Sequence, residues 1–213
     1  RGLGDVYKRQ FDNYAGVTYG NYDRPVYLGL GVNPLYANFV PTGEYSGLMT
    51  LPRELSLCET EEGYRLKTKP FGIDEYRAGA FPIGNQKPLL TESFGLLVQG
   101  NFGRIALKNS RGEEVVIEVT VDSITVDRSK SGDLSYFDDV DPKLFKKEDL
   151  LVSTTKRYMR GNVNMEIIFD VSYLEIYADG GLETASVCVY PDAPYQVVST
   201  DGDLEVKMYT IKK

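Results

Sequence analysis

Apolar residues recur at every second position through most of this chain. Val26, Leu28 and Leu30 alternate with Tyr27, Gly29 and Gly31, the period of a strand with two distinct faces. The same period runs through Leu55 and Leu57, through Tyr64, Leu66 and Thr68, and through Val115, Ile117, Val119 and Val121. It returns at Met165, Ile167 and Phe169, at Leu174 and Ile176, at Ala185, Val187 and Val189, and at Leu204, Val206 and Met208. Between these runs lie Asn33-Pro34, Asn109 to Gly112, Asp179-Gly180-Gly181 and Asp201-Gly202, all of them turn chemistry. The string DRSKSGD, Asp127 to Asp133, predicts a break after a strand over Ser123 to Val126. A single helix is predicted, with Asp141 as N-cap, Pro142 in the first turn and its end at Leu151. The pattern is that of an all-β chain.

The runs fall into two groups. Residues 11–62 predict three or four antiparallel strands, about the content of one propeller blade. A lone blade cannot bury both of its faces, so further blades of the same parent chain, upstream, are its expected partners. Residues 63–213 predict many short strands closed by tight turns, which suits a two-sheet antiparallel β-sandwich. The boundary between the groups falls between Cys58 and Gly72. Residues 1–10, RGLGDVYKRQ, show no periodicity and no apolar signal-peptide core, and read as a non-native or disordered leader.

Composition narrows the chemistry. Lys and Arg number 24 against 31 Asp and Glu, a net charge of −7, so the chain gains nothing from counterion release and nucleic acid is not an expected partner. No apolar run approaches the roughly 20 residues that span a bilayer, so no membrane partner is expected. The chain has no His, which excludes Ser-His-Asp and Cys-His catalysis and removes the commonest metal ligand. Cys58 and Cys188 are isolated from each other, make no Cys₄ zinc site, and read as small apolar residues within strands, a disulfide being the alternative that nothing local supports. No metal and no cofactor is predicted.

Particular strings carry a resemblance. Tyr36-Ala37-Asn38, Pro41-Thr42, Gly47 and the run MTLPREL, Met49 to Leu55, follow one another in the order found late in the propeller of glycoside hydrolase family 32. Asp12-Asn13-Tyr14-Ala15 resembles that family's D-F-Y-A segment. Ser93-Phe94-Gly95-Leu96, Asp127-Arg128-Ser129, Ser131-Gly132, the set Asp170, Ser172, Glu175 and Tyr177, and the segment Thr184 to Pro191 are similar to motifs of its sandwich. The family holds invertases, sucrose-6-phosphate hydrolases, levanases and inulinases. The resemblance implies a five-bladed propeller with an appended sandwich, and retaining hydrolysis of terminal β-fructosyl bonds in sucrose, sucrose 6-phosphate or fructans. It also implies an Asp nucleophile in a W-[MN]-N-D-P-N-G string, an E-C-P acid/base and an Arg-Asp-Pro triplet. None of these strings occurs here. The expectation is therefore the last blade and sandwich of a β-fructofuranosidase-type hydrolase, inactive alone, with no catalytic residue of its own. Asp12 and Tyr14 are its candidate sugar contacts. Leu30, Pro34 and Tyr45 stand where the family often has Trp.

Other residues have plainer readings. Arg53-Glu54 reads as an ion pair at a strand end, and Asp127-Arg128-Ser129 as a turn held by Asx-type hydrogen bonds. Asp170 and Ser172 fall on one strand face and Glu175 on the other, which argues against one shared cation. The charged run Lys143 to Lys156 reads as a solvated loop. Two other functions fit a sandwich: a non-catalytic carbohydrate-binding module, or a structural brace for the propeller or a dimer.

Overall fold

The computed structural model describes residues 11–43, 47–84, 86–89 and 91–212; the expected leader and Tyr45 lie outside them. The first unit is one antiparallel sheet of four strands in sequence order: β1 (Tyr14–Thr18), β2 (Val26–Leu30), β3 (Arg53–Thr60) and β4 (Gly63–Pro70). The run before Pro52 lies along the end of β2 through hydrogen bonds from Gly31 and Thr50 and a bridge between Leu30 and Met49. β4 pairs with β3 over its whole length, Thr60 opposite Gly63 to Arg53 opposite Pro70. The first sheet thus runs to Pro70, past residue 62 and inside the interval from Cys58 to Gly72 expected to hold the boundary. A tight hairpin joins its last two strands where the sequence suggested a change of domain.

The second unit is a sandwich. Its strands are β5 (Arg77–Ile83), β6 (Lys87–Pro88), β7 (Ser93–Gly100), β8 (Gly103–Lys108), β9 (Glu114–Val119), β10 (Ser123–Lys130), β11 (Val152–Lys156), β12 (Val163–Asp170), β13 (Tyr173–Ala178), β14 (Glu183–Cys188), β15 (Val197–Gly202) and β16 (Glu205–Ile211). One sheet has the order β11-β10-β9-β8-β15-β6 and the other β14-β13-β12-β7-β16-β5, all neighbours antiparallel. The alternating residues of the sequence meet between the sheets. Val115, Ile117 and Val119 from one face Ile167, Leu174 and Ile176 from the other in a single buried cluster, the packing that drives such folds.

Three local expectations change. β9 stops at Val119 because the Thr120 amide and Ser123 carbonyl close a turn, leaving Val121 exposed. β10 does not break at Asp127 but continues to Lys130 past a bulge, since Asp127 still pairs with Val116 and Val152. The helix α1 (Lys147–Leu151) is shorter than predicted. Asp141 makes an Asx turn to the Lys143 amide instead of capping it, and residues 141–146 bury too little apolar surface to hold a helix. Cys188 is buried in β14 and Cys58 half-buried in β3, both as free thiols.

Candidate functional site

Blade and sandwich meet over a second buried cluster that includes Tyr36, Tyr136, Phe137, Tyr173 and Cys188. The approach is close: a Cβ on Gly31 would lie 2.8 Å from the Tyr173 ring. Through this apolar contact run two ion pairs, each between one residue of the blade and one of the sandwich.

The first joins Asp12 to Arg128, both 0% exposed. Arg128 Nη1 donates to Asp12 Oδ2 at 2.7 Å and to the Cys188 carbonyl at 2.9 Å; Nε donates to the Leu150 carbonyl at 2.9 Å, and Nη2 to the Tyr36 hydroxyl at 2.8 Å. The Tyr36 hydroxyl in turn donates to Asp12 Oδ1, and the Cys188 amide to Asp12 Oδ2. Burial acts to lower the Arg128 pKa, but the charge of Asp12 and the neighbouring phenols outweigh it and raise the pKa. Burial, followed by the Asp12 charge, pushes the Tyr36 phenol well above its ordinary value.

The second joins Arg53 to Glu175, which are 1% and 2% exposed. Arg53 Nε and Nη2 reach Glu175 Oε2 at 3.2 and 2.9 Å, and Nη2 also reaches Ser186 Oγ at 2.7 Å. The Leu51 amide and the Tyr177 hydroxyl complete the shell of Glu175. Ser186 links the two centres, since its carbonyl accepts from the Asp12 amide. The polarity is reciprocal: the blade supplies an acid in the first pair and a base in the second. Buried pairs of this kind define one relative placement rather than adding much net stability.

The candidate sugar contacts are therefore separated. Asp12 has no exposed surface and both its carboxylate oxygens are bonded within the protein, so sugar does not reach it in this conformation. Tyr14 lies two residues on, after which Ala15 takes φ 49° and the β1–β2 register shifts. Tyr14 is 51% exposed. It faces Leu30 across the sheet, Leu30 faces Met49, and Leu28 faces Val17, so these residues share one face. Tyr14, Val17, Leu30 and Met49 are 51%, 71%, 38% and 51% exposed, an open apolar face on the blade.

Sequence reading missed both pairs, although a signal was present. Arg53 shares its strand face with the half-buried Leu55 in β3, and Arg128 continues the buried Ile124 and Val126 in β10. A cation in an inward position must find a buried anion. Glu54 instead pairs with Arg24 at the surface, and the Asx bond from Asp127 to the Ser129 amide forms as expected. Asp170 accepts from Ser93 at the rim, away from Glu175's partners. Among the described residues no group of three or more His, Cys, Asp or Glu side chains could hold a metal.

Known proteins share the sequence pattern and the fold. The chain is 25% identical to the levanase of Bacillus subtilis (strain 168) over 94% of its own length and 32% of that protein. Its fold matches the exo-inulinase of Aspergillus awamori with TM-score 0.79 at 19% identity, covering 96% of this chain and 44% of that one. It matches the sucrose-6-phosphate hydrolase of Lactobacillus gasseri with TM-score 0.76 at 18% identity, covering 96% and 42%. The chain thus spans about a third of its curated relative and under half of each solved structure. Residues 87–213 match the model of the glycosyl hydrolases family 32 C-terminal domain, and it is to this family that the chain belongs.

Proposed function

We propose that this chain is the last propeller blade and the sandwich of a β-fructofuranosidase-type glycoside hydrolase. The parent would release fructose from terminal β-fructosyl bonds of sucrose, sucrose 6-phosphate or a fructan. The observation that carries the reading is the open apolar face that Val17, Leu30 and Met49 make on the blade. A soluble protein rarely leaves such a patch uncovered, and a preceding blade would pack on it. The levanase relative, about three times longer, has the length for such blades.

Retaining hydrolysis needs two carboxyls about 5–5.5 Å apart, one a free nucleophile and one a protonated acid. In this chain two of the buried acids, Asp12 and Glu175, are each bound by an arginine and by hydrogen bonds. Neither can attack a sugar carbon. Tyr14 is the sugar contact this chain would bring to the completed site, with Asp12 anchoring the strand that carries it. The sandwich would act as a brace, a role the two buried pairs support.

Incubated with sucrose or inulin, the chain should release no fructose above a buffer blank. Steady release that survives repurification would refute the assignment of the reacting acids to upstream blades. Replacing Val17 and Met49 by serine should leave the fold intact and lower both self-association and binding of a hydrophobic dye, read by light scattering and fluorescence. Unchanged values would mean that the face is not the unpaired flank of a blade.

A further inference from the structure

Where β13 turns into β14, Asp179, Gly180 and Gly181 take successive left-handed backbone angles, φ 52°, 71° and 94°. This turn is seated on the blade. A Cβ on Gly181 would lie 2.3 Å from the carbonyl oxygen of Thr68 in β4, so the two backbones meet with nothing between them. Arg157 holds the turn: its Nε and Nη2 reach the two oxygens of Asp179 at 2.8 and 3.0 Å, and its remaining donors go to the carbonyls of Thr120, Val121 and Gly161.

Glu183, at the start of β14, is 2% exposed and lies beside this pair. Its Oε1 accepts the Tyr158 amide at 2.7 Å. Its Oε2 is buried and has no donor, while the side chain reaches that of Asp179. Two carboxyls therefore meet at one guanidinium. If both are ionised, an unsatisfied oxygen faces a like charge. With Glu183 protonated, it donates to Asp179 and both are satisfied. Other cations lie on the packed elements. Arg65 of β4 and Lys156 of β11 bond to Glu62 and lie over the Tyr158 ring, and Lys67 of β4 stands beside Gly180.

We propose that the Asp179–Glu183 carboxyl pair is a proton-operated latch on the contact between blade and sandwich: the shared proton keeps the 179–181 turn seated on β4, and its loss loosens the turn. Burial, with the Asp179 charge, pushes Glu183 from its ordinary 4.5 up to about 7. The folded chain then holds a proton that the unfolded chain has released, so the extra stability is full below about 4.5 and is lost as pH climbs to about 7. The chain has no His, so no imidazole titrates in this window to mask the effect.

Chemical unfolding of the chain between about pH 5 and 8 tests this. The unfolding constant should rise by up to about tenfold per pH unit up to about pH 7. Glu183→Gln, which keeps a donor for Asp179, should remove most of that rise and match the wild type at the acid end. Hydrogen exchange at Thr68 and Gly181, corrected for its intrinsic pH dependence, should quicken with pH in the wild type alone. A Glu183→Gln protein with the full pH dependence would overturn the latch. So would a flattened profile with exchange at Thr68 and Gly181 unaltered. If Glu183→Gln fails to fold, Asp179→Asn removes the like charge but not the burial of Glu183 and should lessen the rise with pH; an undiminished rise would overturn the latch.

Discussion

Arg128→Met should destabilise the chain by about 3–5 kcal/mol, the cost of leaving a buried charge without its partner. Asp12 would stay at 0% exposure, and the donors left to it, the Tyr36 hydroxyl and the Cys188 amide, carry no formal charge. The carbonyls of Leu150 and Cys188 would each lose a donor as well. Against a total stability of about 5–15 kcal/mol, the loss would be plain in a urea titration. The chain has no Trp, so far-UV circular dichroism and tyrosine fluorescence are the suitable probes. Asp12→Asn should cost less, because the amide still accepts from Arg128 while the cation loses its counter-charge. The double variant decides the matter. With both charges gone it should be more stable than the sum of the single losses predicts, by an interaction of about 1–3 kcal/mol. Strict additivity would mean that Asp12 and Arg128 act independently, and a single loss under about 1 kcal/mol would mean that the pair does not join blade to sandwich.

The sandwich was legible in the sequence because its physics is local. Strands such as β9 and β12 alternate along their own length, and the turn at Asp179-Gly180-Gly181 is chemically explicit; Asp201-Gly202, by contrast, is no hairpin turn but the end of β15, paired with Arg104 and Gly103, after which the chain crosses to the other sheet. The blade was legible as strands, but its extent was not, because the hairpin from β3 to β4 looks the same whether it closes one domain or opens the next. The contact between the units was the least legible part. Asp12 and Arg128 are 116 residues apart in the chain, and Arg53 and Glu175 are 122 apart. Nothing in the neighbourhood of either arginine names its partner. Period two could show that Arg53 and Arg128 point inward, and hence that each needs an anion. Choosing that anion among 31 acidic residues requires the fold. Asp12 shows the limit of reasoning from a resemblance. The motif singled out Asp12, while its buried bond to Arg128 could not be read from the string.

The second pair should show a different kind of failure when it is broken. Glu175→Gln keeps the size of the side chain and an acceptor for the Leu51 amide, but leaves the buried Arg53 cation without its counter-charge. A loss of about 3–5 kcal/mol is expected, and its location matters more than its size. Glu175 is the anchor for Leu51 and Arg53, and through them for the segment that passes from the edge of β2 into β3. The blade sheet has one open apolar face and depends on the sandwich to cover the other, so it cannot hold together by itself. Weakening this anchor should therefore split a single unfolding transition into two, the blade melting first and the sandwich later. Hydrogen exchange should quicken at Leu51 and along β3 while Ile167 and Ile176 in the sandwich core stay protected. Glu54→Gln provides the contrast: its partner Arg24 is half-exposed, and its loss should leave the unfolding midpoint where it is. A Glu175→Gln protein that still melts in one step, with exchange unchanged at Leu51, would show that the blade is held by apolar contact alone.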